Sequence, residues 1–218
     1  GQTDNQEQKL NKFTKLHIIA MNRDVETCKK FLMERHNAGE CNIEKLCLVG
    51  SEMGALVTLN WAVQDWNAPS TRFLKQGQDI KTMILISPPQ SFKGLTVQGA
   101  LKHPVIRGNL NTLLIVGSGK SSNLSDAKRL YNRMEAGAHG SKPDDPAQLK
   151  NHRLFMVELD TASQGSTLLA EKNLKPVPED FIWNFLRSKI VERETLSFAG
   201  REFNLEWKRR GNVFDDEP

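Results

Sequence analysis

Apolar positions along the chain follow two rhythms that take turns. In HIIAMNRDVETCKKFLMER (17–35), Ile18, Met21, Val25, Cys28, Phe31 and Leu32 recur three or four residues apart. This predicts an amphipathic helix, closed by the turn-forming His36-Asn37-Ala38-Gly39. KLCLVG (45–50) then breaks into a short, nearly continuous apolar run, the pattern of a strand covered on both faces. Three similar runs follow: TMILISP (82–88), NTLLIVG (111–117) and HRLFMVELD (152–160). Helical spacing lies between and after them at about 55–66, 123–136 and 179–193. Strand and helix alternate, so the expected class is α/β, a doubly wound, mainly parallel sheet with right-handed crossovers and helices on both faces.

The same pattern sets the boundaries. Residues 1–15 form a polar leader, and 1–195 read as one domain. GSKPDDPAQLKN (140–151) is a polar loop inside it, because the strand pattern resumes directly afterwards. From 196 to 218 no period is visible, and the expectation is an irregular extension docked through Phe198, Phe203, Leu205 and Trp207, with an acidic end that frays. Trp61, Trp66, Phe181, Trp183 and Phe185 fall on helices at core spacing and are expected to pack.

Composition narrows the function classes. The net charge of +4 is spread along 218 residues, with one local concentration at Lys208, Arg209 and Arg210, so a nucleic-acid surface is not expected. No run is long and apolar enough for a membrane span, and the expected chain is soluble. Cys28, Cys41 and Cys47 lack CxxC spacing and a partnering histidine cluster, which reads as free thiols with no metal site. No cofactor motif is present. The opening GQTDNQEQK has neither an initiator Met nor a signal peptide, as in a chain cut upstream, and the compartment stays open.

The chemistry-bearing stretch is LCLVGSEMGALVTLNWA (46–62), where an apolar strand meets a helix through a turn bracketed by Gly50 and Gly54. In the G-x-S-x-G elbow, small residues at this spacing let the backbone and helix start pass close together while the central side chain is thrust outward. The chain reads G-S-E-M-G, with Ser51 followed by Glu52 at the centre. This stretch resembles the elbow of the α/β-hydrolase superfamily. ILISPP resembles the next strand, TLLIVGSGKSSNLSDAKRLYNRM the strand and helix that bracket the acid, and MVELDTASQGSTLL the last strand and histidine loop. The resemblance spans about 17–193 and implies a hydrolase-like fold with the leading strands upstream of this chain.

Carried over residue by residue, the resemblance implies a triad whose members are all replaced. Glu52 stands at the nucleophile, Lys120 or Ser121 at the acid, and Gln164 in S-Q-G at the histidine. Triad chemistry needs a hydroxyl or thiol, an imidazole to take its proton and a carboxylate behind that imidazole. A carboxamide neither gains nor loses a proton near neutral pH. Relatives with an Asp nucleophile still use a histidine, and the longer Glu52 side chain misplaces its carboxylate. Ser51 is expected to point away from the cleft, and His17, His36, His103, His139 and His152 read as surface or capping residues. A Glu52 buried beneath the former cleft would have a raised pKa and would pair with Lys120 in a polar knot.

VGSGKSSN (116–123) invites comparison with a phosphate loop, but Leu114 stands where the first glycine belongs. Gly117, Gly119, Lys120 and Ser121 remain a candidate turn for a small anion. The resulting expectation is a catalytically degenerate, hydrolase-like domain that binds a protein partner or a second copy, with no cofactor. The alternative is a hydrolase of small esters with rearranged or upstream-supplied residues. An open sheet edge beside KLCLVG would favour pairing with another chain.

Overall fold

In the computed structural model, residues 13–68, 77–139, 151–171, 173–198 and 201–210 are described. Most of the predicted polar leader, the 140–150 part of the polar loop and the acidic end lie outside them, as do the side chains of His139 and Phe198.

Helix α1 (Lys15–Asn37) leads into β1 (Cys47–Ser51), and α2 (Met53–Asn67) follows after one residue. Next come β2 (Thr82–Ile86), a minimal hairpin of β3 (Ser91–Phe92) and β4 (Leu95–Thr96), and the short helices α3 (Val97–Leu101) and α4 (Pro104–Gly108). Then β5 (Asn111–Gly117), α5 (Ser121–Met134), β6 (Leu154–Leu159), α6 (Ser166–Leu169) and α7 (Pro178–Leu186) complete the body. A π turn (Arg187–Val191) and the antiparallel hairpin β7 (Thr195–Phe198) and β8 (Arg201–Asn204) follow. The sheet is parallel, in the order β1-β2-β5-β6, and the class is α/β.

Alternation along the central strands divides the core. Met83, Leu85, Leu114 and Leu154 face α2, α3, α4 and α5, with Leu56, Leu59, Ile106 and Leu130 buried among them. Ile84, Ile86, Leu113 and Ile115 face the opposite way, against Leu168 of α6 and Phe185 of α7. Every residue of β5 is buried, as its apolar run requires of a central parallel strand.

Several expectations change. The KLCLVG strand is not covered on both faces: β1 is the sheet edge and Val49 is 55% exposed. An edge strand presents an apolar run like a central one, so the two cannot be separated by hydropathy. Residues 195–198 and 201–204 pair as antiparallel strands in place of an irregular extension, with Leu196 paired to Phe203 and both buried. Leu205 docks fully, while Trp207 stays half exposed and donates from Nε1 to the His36 carbonyl at 2.9 Å. His36 and His152 are buried; His36 Nε2 lies 2.8 Å from the Lys208 carbonyl and helps to hold the tail. Trp61, Trp66 and Phe185 pack inside, but Trp183 faces outward. The three cysteines are free, and burial pushes the Cys47 thiol up to about 12.

Two clusters of charge lie within this framework. Lys29 of α1 contacts Asp65 of α2 at 3.0 Å and Asp79 at 3.4 Å, and Asp65 accepts the backbone N–H groups of Asp79 and Ile80. Arg210 joins Asp79 at 2.6 Å and also reaches Glu44. Burial opposes the charge on Lys29, yet Asp65 and Asp79 outweigh it and raise its pKa. The second cluster, at the opposite edge of the sheet, brings together Arg153, Lys189 and Arg193. Lys189 is 4% exposed, with Nζ 4.8 Å from the centroid of the Phe155 ring. Desolvation, followed by Arg193 and Arg153, draws its ammonium down to about 8 from 10.5.

The sign of that shift gives a prediction. Between about pH 8 and 10.5 the unfolded chain holds a proton that the folded chain has released, so this residue makes stability rise with pH across that window. Lys189→Met keeps the packing volume and removes the desolvated charge. In chloride buffer it is expected to be more stable than the native chain by about 2 kcal/mol at pH 7, with the gap closing towards pH 10.5. Denaturant titration across pH checks this; a variant less stable at pH 7 would contradict it.

Candidate functional site

The candidate site lies at the carboxyl ends of the four parallel strands. β1 reaches α2 through one residue, Glu52, whose φ of 49° and ψ of −116° form a sharp, strained turn. Its N–H donates to the Ile86 carbonyl at 2.8 Å, which ties the turn to β2. Gly50 makes the close approach possible: a Cβ there would lie 2.5 Å from the Gly54 carbonyl and 2.7 Å from the Ala55 Cα. Backbone cannot yield cheaply at such distances, so strand and helix pack only through glycine. Ser51 is partly buried beside Glu52.

Glu52 is exposed, with its side chain resting over Gly165. A Cβ on Gly165 would stand 2.7 Å from the Glu52 Cδ. Among the described residues the carboxylate has no hydrogen bond or ion pair, and Lys120 is not its partner. The expected buried Glu52–Lys120 knot is therefore absent. The turn's geometry thrusts the central side chain out of the core, and Lys120 caps the start of α5, pointing into solvent.

Gln164 is placed differently. It is 6% exposed and bonded at both ends of its amide: Oε1 accepts from the Ser87 hydroxyl at 2.7 Å, and Nε2 donates to the Gly117 carbonyl at 2.7 Å. The Ser87 hydroxyl in turn accepts the Gly165 N–H at 3.0 Å. Ser87 follows β2 directly with a positive φ of 48°, and its N–H donates to the Ile115 carbonyl at 2.8 Å. A buried polar network thus joins the ends of β2 and β5 to the loop after β6. Gly117 also makes room for it, since a Cβ there would meet the Ser163 carbonyl at 2.3 Å and Gln164 Nε2 at 2.7 Å.

The structure brings Glu52, Gln164 and Gly117 to one place and leaves Ser121 outside the network. Ser121 is exposed at the first position of α5. The candidate anion turn is largely occupied by its own chain: the Ser118 N–H donates to the Leu159 carbonyl at 2.8 Å and the Gly119 N–H to the Thr161 carbonyl at 2.9 Å. These bonds fasten the turn to the 159–164 loop and take two donors away from any anion. Ser87 was not singled out by motif; its signal is a hydroxyl placed between an apolar strand and the two prolines Pro88 and Pro89. Among the described residues no cluster of His, Cys, Asp and Glu suits a metal ion, and no helix is long and apolar enough to cross a membrane.

Comparisons of the chain with family models, curated proteins and solved structures give no match.

The contact between Glu52 and Gly165 is open to a double-mutant cycle. Gly165→Ala, at φ of 60°, is expected to destabilise the native chain by about 2 kcal/mol. In a Glu52→Ala background the cost should fall by about 0.5 kcal/mol or more, because the crowded side chain has gone. Equal costs in both backgrounds would show that Glu52 is not held over Gly165.

Proposed function

We propose that the chain is a non-catalytic α/β-hydrolase-like domain with a binding or scaffolding role. The observation that carries this reading is the amide of Gln164, satisfied at both ends by Ser87 and Gly117. At the position that the resemblance assigns to the general base, a group without a usable proton is held in place by a network that a moving imidazole would break. The Ser87 hydroxyl donates its proton to the Gln164 amide, which cannot take it up as a general base would.

The edge of the sheet supports the binding half. Glu52 N–H reaches Ile86, and the Leu46 carbonyl accepts the Lys81 N–H, so the even-numbered residues of β1 bond to β2. In a parallel ladder the N–H and C=O of one residue point the same way and alternate along the strand. Those of Cys47, Val49 and Ser51 therefore point away from the sheet. Beside them Val25, Leu32, Leu46 and Leu48 line an apolar groove of about 260 Å³ between β1 and α1. An extended segment of another chain fits such an edge as an added strand.

A second reading, a hydrolase with rearranged machinery, is favoured by the strained backbone kept at Glu52. One set of measurements separates the two. The non-catalytic reading predicts neither turnover of p-nitrophenyl esters nor labelling by a fluorophosphonate, and any self-association should be lost in Val49→Lys. Turnover abolished by Glu52→Gln or Ser87→Ala would overturn it in favour of the hydrolase.

A further inference from the structure

A groove on the body already holds a peptide, and that peptide is the chain's own. Beyond β8, residues 205–210 (LEWKRR) run without regular structure across the end of α1, the turn Ile43–Lys45 and Asp79. The main chain of this segment is caught by side chains. Asn42 Nδ2 donates to the Leu205 carbonyl at 2.8 Å, His36 Nε2 donates to the Lys208 carbonyl at 2.8 Å, and Asn37 Oδ1 accepts the Arg210 N–H at 3.0 Å. Two of its own side chains fill sockets. Leu205 is fully buried in the core, and the Arg210 guanidinium lies between Asp79, at 2.6 Å, and Glu44, whose Oε1 accepts from Nε at 2.8 Å. The Trp207 ring lies 5.6 Å from that of His36, above the carbonyl to which it donates. Glu206, Lys208 and Arg209 are exposed.

The two kinds of contact do different things. Bonds to main-chain groups hold an extended segment whatever its sequence, and side-chain sockets select which sequence stays. Here the sockets select a leucine, an aromatic ring two residues on and an arginine three residues beyond that. Tryptophan and arginine are the side chains that most often carry the energy of a protein interface. Two carboxylates facing a planar guanidinium give the groove a charge preference as well as a shape. The covalent link to β8 adds proximity to these contacts, equivalent to a local concentration of roughly millimolar. A segment of the same chemistry on another chain meets the same groups.

We infer that this groove is a peptide-recognition site, closed in cis by residues 205–210 and entered by an extended basic segment of a partner protein with the same spacing of leucine, aromatic ring and arginine. The partner displaces the chain's own tail, so binding and release of the tail are one event. The segment seated in the groove defines the partner's chemistry, and the carboxylates of Asp79 and Glu44 define its charge. This inference goes beyond the readings of Gln164 and of the β1 edge and rests on neither.

Fluorescence anisotropy of a labelled peptide of residues 204–211 (NLEWKRRG), titrated with the full chain, tests it. In the native chain the tail competes, and weak binding is expected. Trp207→Ala removes the tail's aromatic anchor, so the peptide should bind that chain about tenfold tighter or more. Glu206→Gly loosens the tail at an exposed position outside the sockets. It should tighten peptide binding by about two- to fivefold, and it carries the test if Trp207→Ala folds poorly. The peptide with Arg210→Glu should bind none of the three chains. Absence of saturable binding, equal affinity for the native and loosened chains, or equal binding of the Arg210→Glu peptide overturns the inference. So does self-association of the Glu206→Gly chain without peptide, which assigns the groove to a second copy.

Discussion

The carboxamide of Gln164 is the fastening on which the carboxyl end of the sheet depends. Parallel strands end with their loops side by side, and no ladder hydrogen bonds hold those loops in register. Here one side chain from the loop after β6 bonds to the residue after β2 and to the last residue of β5. An amide suits this position because it offers a donor at one end and an acceptor at the other, both at fixed separation. Gly117 leaves space for it, and Ser87 turns its N–H and hydroxyl to serve both neighbours. Both ends of the amide are bonded, which suits a structural joint better than a proton relay.

The two buried charge clusters show what satisfaction means at the other places in the fold. The cluster of Lys29, Asp65, Asp79, Arg210 and Glu44 contains both signs and binds five separate segments, among them α1, α2 and the tail after β8. Removal of one partner from such a set leaves a buried charge uncompensated, and this is how a tail without regular structure is kept in place. Arg153, Lys189 and Arg193 also converge, and burial first, with the two guanidinium groups after it, lowers the ammonium pKa of Lys189.

The sheet was legible in the sequence because buried parallel strands must be apolar along their whole length: NTLLIVG marks β5 at its true bounds. The turn at Glu52 was legible because only small residues at that spacing permit it. Other features depend on distance across the fold. Val49 reads as core until β1 is seen to have one neighbour among the described strands, and β7 and β8 are too short for their alternation to rise above noise. Hydropathy could place Glu52 at the turn but could not show its exposure, which follows from the backbone angles. Asn111, Arg153, Lys189 and Arg193 are scattered over some eighty positions and form no motif, so only the fold assembles them.

The account stands or falls on the Gln164 amide being a joint. Gln164→Glu tests this most directly, because a protonated carboxyl reproduces both hydrogen bonds while an ionised one confronts the Gly117 carbonyl with no donor. Burial and that loss raise the folded-state pKa above the unfolded value, so stability conferred by the protonated form is full at low pH and is lost as pH rises through the folded pKa. Unfolding free energies are predicted to match those of the native chain near pH 4 and to fall behind by about 2–4 kcal/mol at pH 7–8. A difference from the native chain that stays constant across this range would contradict the account.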